Sequence, residues 1–162
     1  LEPYLKHTGG ALSPFSAWVM LKGLETLDLR CNAQADAALT LAQALEGHPK
    51  LTRTIYPSLA SHPQQALAAR QMTKGGTVLS LDIKGGRDGA FRFLNALQII
   101  LISNNLGDAK SLVTHPATTT HQRLTIEQRQ VLGIGDGLVR VSIGLEDVDD
   151  LLADILDALD SA

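Results

Sequence analysis

The sequence contains little of several residue types on which protein chemistry often depends. It has one cysteine among 162 residues, and aromatic residues make up 4% of it. A single cysteine excludes an internal disulfide and fits a reducing compartment. The formal net charge of −3 gives no reason to expect a nucleic-acid partner, because such proteins usually carry a basic patch.

Long apolar runs are also missing, and the longest are too short to span a bilayer. The first residues show no basic stretch followed by an apolar one, which a secretory leader would have. We therefore expect a cytoplasmic protein that does not enter a membrane. Residue 1 is leucine rather than methionine, which we interpret as the sign of a longer chain. Apolar residues make up 44%, enough to build the core of one domain.

Two helices are indicated near the start of the chain. Ser13 and Pro14 are typical of a helix cap and a first helical position, and this helix is expected to end near Lys22 and Gly23. A longer helix is predicted over 27–46 from apolar residues spaced three or four apart. Cys31 lies on that apolar stripe, so we expect it to be a small buried residue rather than a reactive thiol.

The remainder alternates between strand and helix patterns. Strands are predicted over 51–56, 77–83, 99–103, 110–115 and 138–143, and helices over 62–70, 88–97, 125–132 and 146–159. The third strand is expected to be buried, and Phe91, Leu94 and Leu97 should form the inner side of the 88–97 helix. This order predicts an α/β or α+β domain in which helices pack on one face of a small sheet.

Arg140 is the sharpest candidate for a binding residue. It alternates with the apolar Val139 and Val141, so it should lie on the opposite face of a strand. The planar guanidinium matches a carboxylate through two parallel hydrogen bonds. The alternative, which spacing alone favours, is an ordinary surface pair with a nearby acid such as Asp136.

Asn105 follows a predicted buried strand and precedes Leu106-Gly107. Loops at strand ends often bind ligands, and an asparagine side chain offers both a donor and an acceptor. It could equally be a turn residue in a left-handed conformation. Both interpretations remain open from the sequence.

Other candidates are weaker. His62, His115 and His121 do not have the spacing of common zinc ligands, so no metal site is predicted. Lys110 is expected to be solvated. Ser111, His115 and Asp108 lack the sharp turn that presents a hydrolase nucleophile. The glycine-rich stretch 133–137 precedes a strand instead of following one, which indicates a connector and not a phosphate loop.

Several motifs together resemble the Cys/Met-metabolism family of pyridoxal-phosphate enzymes. They are residues 8–18 (TGGALSPFSAW), 21–27 (LKGLETL), 56–63 (YPSLASHP), 75–81 (GGTVLSL), 105–108 (NLGD), 115–121 (HPATTTH) and 138–147 (LVRVSIGLED). They span nearly the whole chain in the family's order. The NLGD and HPATTTH forms are most similar to the sulfhydrylase branch.

The resemblance implies that residues 1–26 are the end of the large cofactor domain with a linker helix, and that 27–162 form the C-terminal substrate-binding domain. It implies that Arg140 binds the α-carboxylate of an amino-acid substrate and that Asn105, where serine is common, helps to hold that substrate. The lysine that carries pyridoxal phosphate would lie upstream of Leu1. No residue of this chain is then assigned a catalytic role, the residues that bind the cofactor stay unknown, and the chain alone would be inactive.

For the whole protein, the resemblance implies γ-replacement on an acylated homoserine to give homocysteine, a step of methionine biosynthesis. It also implies a homo-oligomer, a tetramer built as a dimer of dimers. A synthase or lyase of the same family is an alternative. A non-catalytic module that binds an amino acid is another.

Overall fold

A computed structural model describes all 162 residues, and the chain divides into two units, Leu1–Arg30 and Cys31–Ala162. The first unit contains α1 (Glu2–Thr8) and α2 (Pro14–Glu25). The Ser13 hydroxyl accepts a hydrogen bond from the Ser16 amide at 3.1 Å, so the predicted helix start is confirmed. The helix continues a little past the predicted end. No residue of α1 or α2 is buried.

A mixed five-stranded sheet organises the second unit. The strands are β1 (Leu51–Ile55), β2 (Val78–Ile83), β3 (Leu101–Ile102), β4 (Leu112–Thr114) and β5 (Leu138–Ser142). Their order across the sheet is β1-β2-β5-β4-β3. All neighbouring pairs are antiparallel except β3 and β4, which are parallel. The strand that carries Arg140 is therefore the central one.

The helical elements are α3 (Leu27–Leu45), α4 (Gln65–Gln71), α5 (Gly86–Ala96), a 3-10 turn (Pro116–Thr118), α6 (Ile126–Val131) and α7 (Val148–Asp160). This mixture of helices with a small sheet agrees with the predicted fold class. Helices α3, α5 and α7 pack against the sheet, whereas α4 and α6 bury no residue. The core joins the inward residues of β2, β4 and β5 to those of α3, α5 and α7. Its largest fully buried side chains are Tyr56, Phe93, Leu41, Leu45, Leu79, Leu81, Ile83, Ile143, Leu151, Ile155, Leu159 and Val113.

The prediction for Cys31 is wrong, because this residue is exposed. The buried part of α3 begins only at Gln34 and continues through Ala35, Ala38, Leu41, Ala42 and Leu45. The apolar stripe of the sequence thus extends one turn further than the contact with the core. Periodicity identifies the face of a helix but not the residue at which packing begins.

The predicted buried strand over 99–103 is also wrong. Only Leu101 and Ile102 are extended; they pair with β4 alone at the sheet edge and are 47% and 62% exposed. The preceding amides of 98–100 donate instead to the carboxylate of Asp154 in α7. A side chain from another element therefore satisfies the backbone groups that strand pairing would have used.

Phe91, Leu94 and Leu97, which the sequence places on one side of α5, all pack against the core, Leu94 fully buried and the other two half-buried. The helix also buries Gly89, Ala90 and Phe93. The remaining boundaries lie within about three residues of the predicted ones, a common uncertainty at element ends. No helix of the chain combines the length and the apolar character needed to cross a membrane.

Candidate functional site

Arg140 lies in the middle of β5, with hydrogen-bonded strands on both sides. Its direct neighbours across the sheet are Ser80 in β2 and Thr114 in β4. Val139 and Val141 point to the opposite, helix-covered face and are fully buried. Alternation along a strand thus places a half-buried arginine on the other face, as the sequence predicted.

The guanidinium is held at one end only. Its Nη2 donates to the carbonyl oxygens of Asn104 at 2.8 Å and Asn105 at 3.3 Å. Its Nε is buried and has no hydrogen-bond partner. A buried donor without a partner costs roughly 1–3 kcal/mol, and such groups are rare unless a ligand, ion or water completes them.

Arg140 has no acidic partner within the chain. Asp136, which spacing alone favoured as its partner, pairs instead with Arg129 at 3.0 Å between Arg129 Nη1 and the carboxylate. The alternative of an ordinary surface pair with Asp136 is therefore wrong. The sheet presents a cation whose charge is not compensated by any side chain in contact with it, which is the arrangement expected of an anion-binding site.

Asn105 and Arg140 are brought together, but through the backbone of Asn105. Its amide nitrogen donates to the Ser103 hydroxyl at 3.3 Å, and its carbonyl accepts from Arg140. The side chain is exposed and makes no hydrogen bond to the chain. The predicted contact of this side chain with a substrate stays a prediction.

The loop of residues 103–107 is fixed more firmly at its far end. The Gly107 amide donates to the Ser142 hydroxyl of β5 at 2.9 Å. Just beyond the loop, Gln34 of α3 donates from Nε2 to the carbonyls of Asp108 at 2.7 Å and Ile143 at 2.8 Å. Gln34 was not singled out in the sequence. A lone glutamine within an apolar helical stripe was the signal that could have identified it.

Ser111, just before β4, and Glu146, beyond the end of β5, form a second set of hydrogen bonds that connects these two parts of the chain. The Glu146 carboxylate accepts from the Ser111 amide at 2.7 Å and hydroxyl at 2.8 Å, and the hydroxyl accepts from the Gly144 amide at 2.8 Å. The Ser111 hydroxyl is thereby fully used. Glu146 lies in the 138–147 motif but was not singled out in the sequence.

His115 has no hydrogen bond to Ser111 or Asp108. Its Nδ1 meets the Thr118 hydroxyl at 2.9 Å and its Nε2 meets the Asp136 carbonyl at 2.8 Å. The ring of Phe91 contacts it edge-on. Both ring nitrogens are hydrogen-bonded and only 3% of the residue is exposed. His115 is therefore a structural residue at the start of the 115–121 segment.

None of the six lysines of the chain is buried, and Lys110 is exposed. No group of three or more metal-ligating side chains comes together. A cavity of about 360 Å³ lies at the β1 edge and is lined by residues that include Glu46, Arg53 and His62. Arg140 does not line it. The candidate site is therefore an open face whose central chemical feature is one guanidinium, a group that binds planar anions such as carboxylates through paired hydrogen bonds.

Comparison with known proteins identifies the family of this chain. The family model for Cys/Met metabolism PLP-dependent enzymes matches residues 2–160. An O-succinylhomoserine sulfhydrylase of Pseudomonas aeruginosa is 53% identical over 94% of this chain and 38% of its own length. An L-methionine γ-lyase of Pseudomonas deceptionensis is 45% identical over the same shares.

A solved structure is similar in fold as well. The crystal structure of a putative O-acetylhomoserine (thiol)-lyase of Campylobacter jejuni, which contains a pyridoxyl-lysine phosphate, superposes with a TM-score of 0.90 at 39% identity. The match covers 98% of this chain and 38% of that one. The chain thus spans about 38–40% of the length of the curated relatives it matches.

The predicted resemblance, including its similarity to O-succinylhomoserine sulfhydrylases, is confirmed by these matches. The matched region covers almost every residue of the chain, and it includes the strand that carries the unpaired guanidinium. The chain belongs to the Cys/Met-metabolism family of pyridoxal-phosphate-dependent enzymes.

Proposed function

We propose that this chain is the C-terminal, substrate-binding portion of an enzyme that replaces the γ-acyloxy group of O-succinylhomoserine by sulfur to give homocysteine. Residues 1–26 would then complete the cofactor domain, and 27–162 would bind the substrate. The observation that carries the proposal is the half-buried guanidinium of Arg140, which has a buried Nε without a partner and no acidic neighbour. Relatives at 52–53% identity named as O-succinylhomoserine sulfhydrylases support it.

Arg140 would bind the α-carboxylate of the substrate. A guanidinium and a carboxylate are both planar and form two parallel charge-assisted hydrogen bonds, so the pair fixes orientation as well as position. The partial burial of Arg140 reduces competition from water and strengthens the attraction. The unused donors of the guanidinium determine where the carboxylate would approach, since Nη2 is already bound to the loop carbonyls.

Orientation is the contribution of this chain to the reaction. A carboxylate fixed at one point leaves the Cα–H bond and the γ-substituent in a limited set of directions, and such positioning can contribute several kcal/mol to a barrier. The pyridoxal phosphate supplies the electron sink for carbanions at Cα and Cβ. No lysine of this chain is buried, and we place the lysine that carries the cofactor in polypeptide outside it.

Arg140→Ala in the full-length holoenzyme tests the proposal. Loss of hydrogen bonds to a charged group costs about 1.5–3 kcal/mol, so kcat/KM should fall about 10- to 200-fold, mainly through KM. The visible absorbance of the cofactor should be kept. Arg53→Ala is the matched control, because Arg53 is a strand arginine at the far edge of the sheet that pairs with Asp82. Parental kinetics in Arg140→Ala would refute the proposed role.

A cystathionine γ-synthase or γ-lyase of the same family is the second candidate, and the 40% identity to the crystal structure of a cystathionine γ-synthase from Xanthomonas oryzae favours considering it. The assay should offer O-succinylhomoserine with sulfide, with cysteine, and with neither. Homocysteine formed with sulfide supports the proposal; cystathionine formed with cysteine, or 2-oxobutyrate formed without a sulfur donor, supports the alternatives. An amino-acid-binding module would form none of these products. The dimer-of-dimers assembly and the cytoplasmic location remain predictions.

A further inference from the structure

The loop residue that holds Arg140 most closely is itself bound by a buried side chain. Thr114, which is the cross-strand neighbour of Arg140 in β4, is 1% exposed. Its hydroxyl lies 3.1 Å from the side-chain oxygen of Asn104. The same Asn104 offers, through its backbone carbonyl, the shorter of the two contacts to Arg140 Nη2, at 2.8 Å. One loop residue therefore connects the buried hydroxyl to the guanidinium.

The hydroxyl of Thr114 is part of a short chain of hydrogen bonds. It lies 2.9 Å from the Thr119 hydroxyl, which in turn lies 2.8 Å from the His115 carbonyl. If Thr114 donates to Asn104, Thr119 donates to Thr114, and the His115 carbonyl still accepts from the Thr118 amide at 3.2 Å. If the amide of Asn104 is turned, Asn104 donates to Thr114 and the chain of donors runs the other way. Every contact to Asn104 is satisfied in both orientations.

Residues 104–106 have few other attachments. All three are exposed. The amide of Asn105 binds only the hydroxyl of Ser103, two residues away. The contacts that join this part of the loop to the sheet are therefore the Arg140 guanidinium and the Thr114 hydroxyl. If the second is removed, the ends of the loop stay bound at Ser103 and Gly107, but the exposed middle gains freedom and the acceptors of Nη2 are no longer fixed.

We propose that Thr114 and Asn104 are a positioning pair: their hydrogen bond fixes the loop carbonyl that holds the Arg140 guanidinium in the orientation in which it receives the substrate carboxylate. The inference rests on the proposed function and adds two residues that do not touch the substrate. A guanidinium released from the loop regains the rotational freedom of a long side chain, and binding a carboxylate must then order it again. The loss should appear in substrate affinity and not in the chemical step.

The test uses the full-length holoenzyme with Thr114→Val, which keeps the shape of the side chain and removes its hydroxyl, and Thr114→Ser, which restores the hydroxyl. Misplacement of a binding group by about 1 Å can cost up to a hundredfold, so a partial loss of order in Thr114→Val should raise KM about tenfold with kcat within about twofold. Thr114→Ser should return KM to near the parental value. Thr40→Val is the control, since its hydroxyl binds only the Asp36 carbonyl within α3.

Asn104→Ala removes the same hydrogen bond from the exposed side and keeps the backbone carbonyl, so it tests the pair even if the buried substitution impairs folding. It should raise KM like Thr114→Val. Adding Thr114→Val to Arg140→Ala should change kcat/KM no further, because the pair acts through the guanidinium. An undiminished effect in that background, or parental KM in both single variants, overturns the inference. Parental KM in Arg140→Ala alone would instead refute the proposed function.

A second readout does not depend on activity. Amide hydrogen exchange of peptides that cover 103–107, measured in the cofactor-free full-length protein, reports whether the loop is released. Exchange should be faster in Thr114→Val and Asn104→Ala and parental in Thr114→Ser and Thr40→Val. Unchanged exchange in both Thr114→Val and Asn104→Ala contradicts the positioning role.

Discussion

Gly137 lies against Ile83 where the central strand β5 begins. The Ile83 amide donates to the Gly137 carbonyl at 2.9 Å. A Cβ on Gly137 would collide with the Ile83 carbonyl and lie 2.9 Å from the Asp82 carboxylate. Gly137→Ala must therefore push apart the ends of β2 and β5. We expect a loss of about 1–3 kcal/mol of unfolding free energy, as is typical of overpacking, measured by urea denaturation of the full-length protein.

Gly135 provides the matched control for that substitution. It lies two residues earlier in the same connector, has no left-handed φ, and a Cβ there would meet nothing within 4 Å. Gly135→Ala should leave stability unchanged or raise it by about 0.4–1 kcal/mol through the lower entropy of the unfolded chain. Equal destabilisation by the two variants would contradict the steric explanation.

Asp154 has a buried carboxylate that accepts hydrogen bonds from three backbone amides. Its oxygens accept from the amides of Gln98, Ile99 and Ile100 at 2.7, 3.1 and 3.1 Å. Asp154→Ala would leave these donors without partners, so we expect the protein to lose about 2–4 kcal/mol of stability. Asp157→Ala, on the exposed side of the same helix, should change stability by less than about 0.5 kcal/mol. Similar unfolding midpoints for the two variants would refute the anchoring role.

The environment of the Tyr56 hydroxyl leads us to expect that the free energy of unfolding decreases at alkaline pH. Its hydroxyl is buried and donates towards the carbonyls of Gly76 at 2.9 Å and Ala35 at 3.2 Å. Burial, and secondarily the Asp36 carboxylate, raise the pKa of Tyr56 from 10.0 to about 12. The neutral form is thus favoured in the folded state, and its contribution is complete below pH 10 and lost as pH rises towards 12.

Each pH unit in that interval should remove about 1.4 kcal/mol. The urea midpoint of the parent should therefore fall more steeply between pH 9.5 and 11 than that of Tyr56→Phe, which has no such proton. Tyr4→Phe is the control, since Tyr4 is 69% exposed in α1, and its slope should match the parent. Parallel slopes for the parent and Tyr56→Phe would contradict the prediction.

Local rules in the sequence were sufficient for much of the fold. The Ser13 cap, the β2 strand and the long α3 repeat each depend on residues that are close to one another in the sequence, and each was predicted. The burial of Cys31 and of the 99–103 segment was predicted wrongly, because it depends on residues that are distant in the sequence. The contact of α3 with the core begins only at Gln34, and the amides near Ile99 bind Asp154, which lies 55 residues away.

The candidate site, too, was predictable from the sequence only where local patterns determine it. Alternation within β5 was enough to place Arg140 opposite the valines. Its attachment to Asn104, 36 residues distant, and the hydrogen bonds between Ser111 and Glu146 could not be predicted, because no local pattern specifies which loop lies beside which strand. The pairing of Asp136 with Arg129 was missed for the opposite reason, since proximity in sequence suggested a different partner.

The central place of β5 restricts how this protein can change. Because β2 and β4 both fix its register, one inserted residue within 138–142 would turn Arg140 inward and Val139 or Val141 outward. Such an insertion would disrupt the proposed carboxylate contact and the hydrophobic core in a single event. Evolutionary adjustment of substrate choice should consequently concentrate in the segments that flank this strand, where insertions and deletions do not invert its two faces.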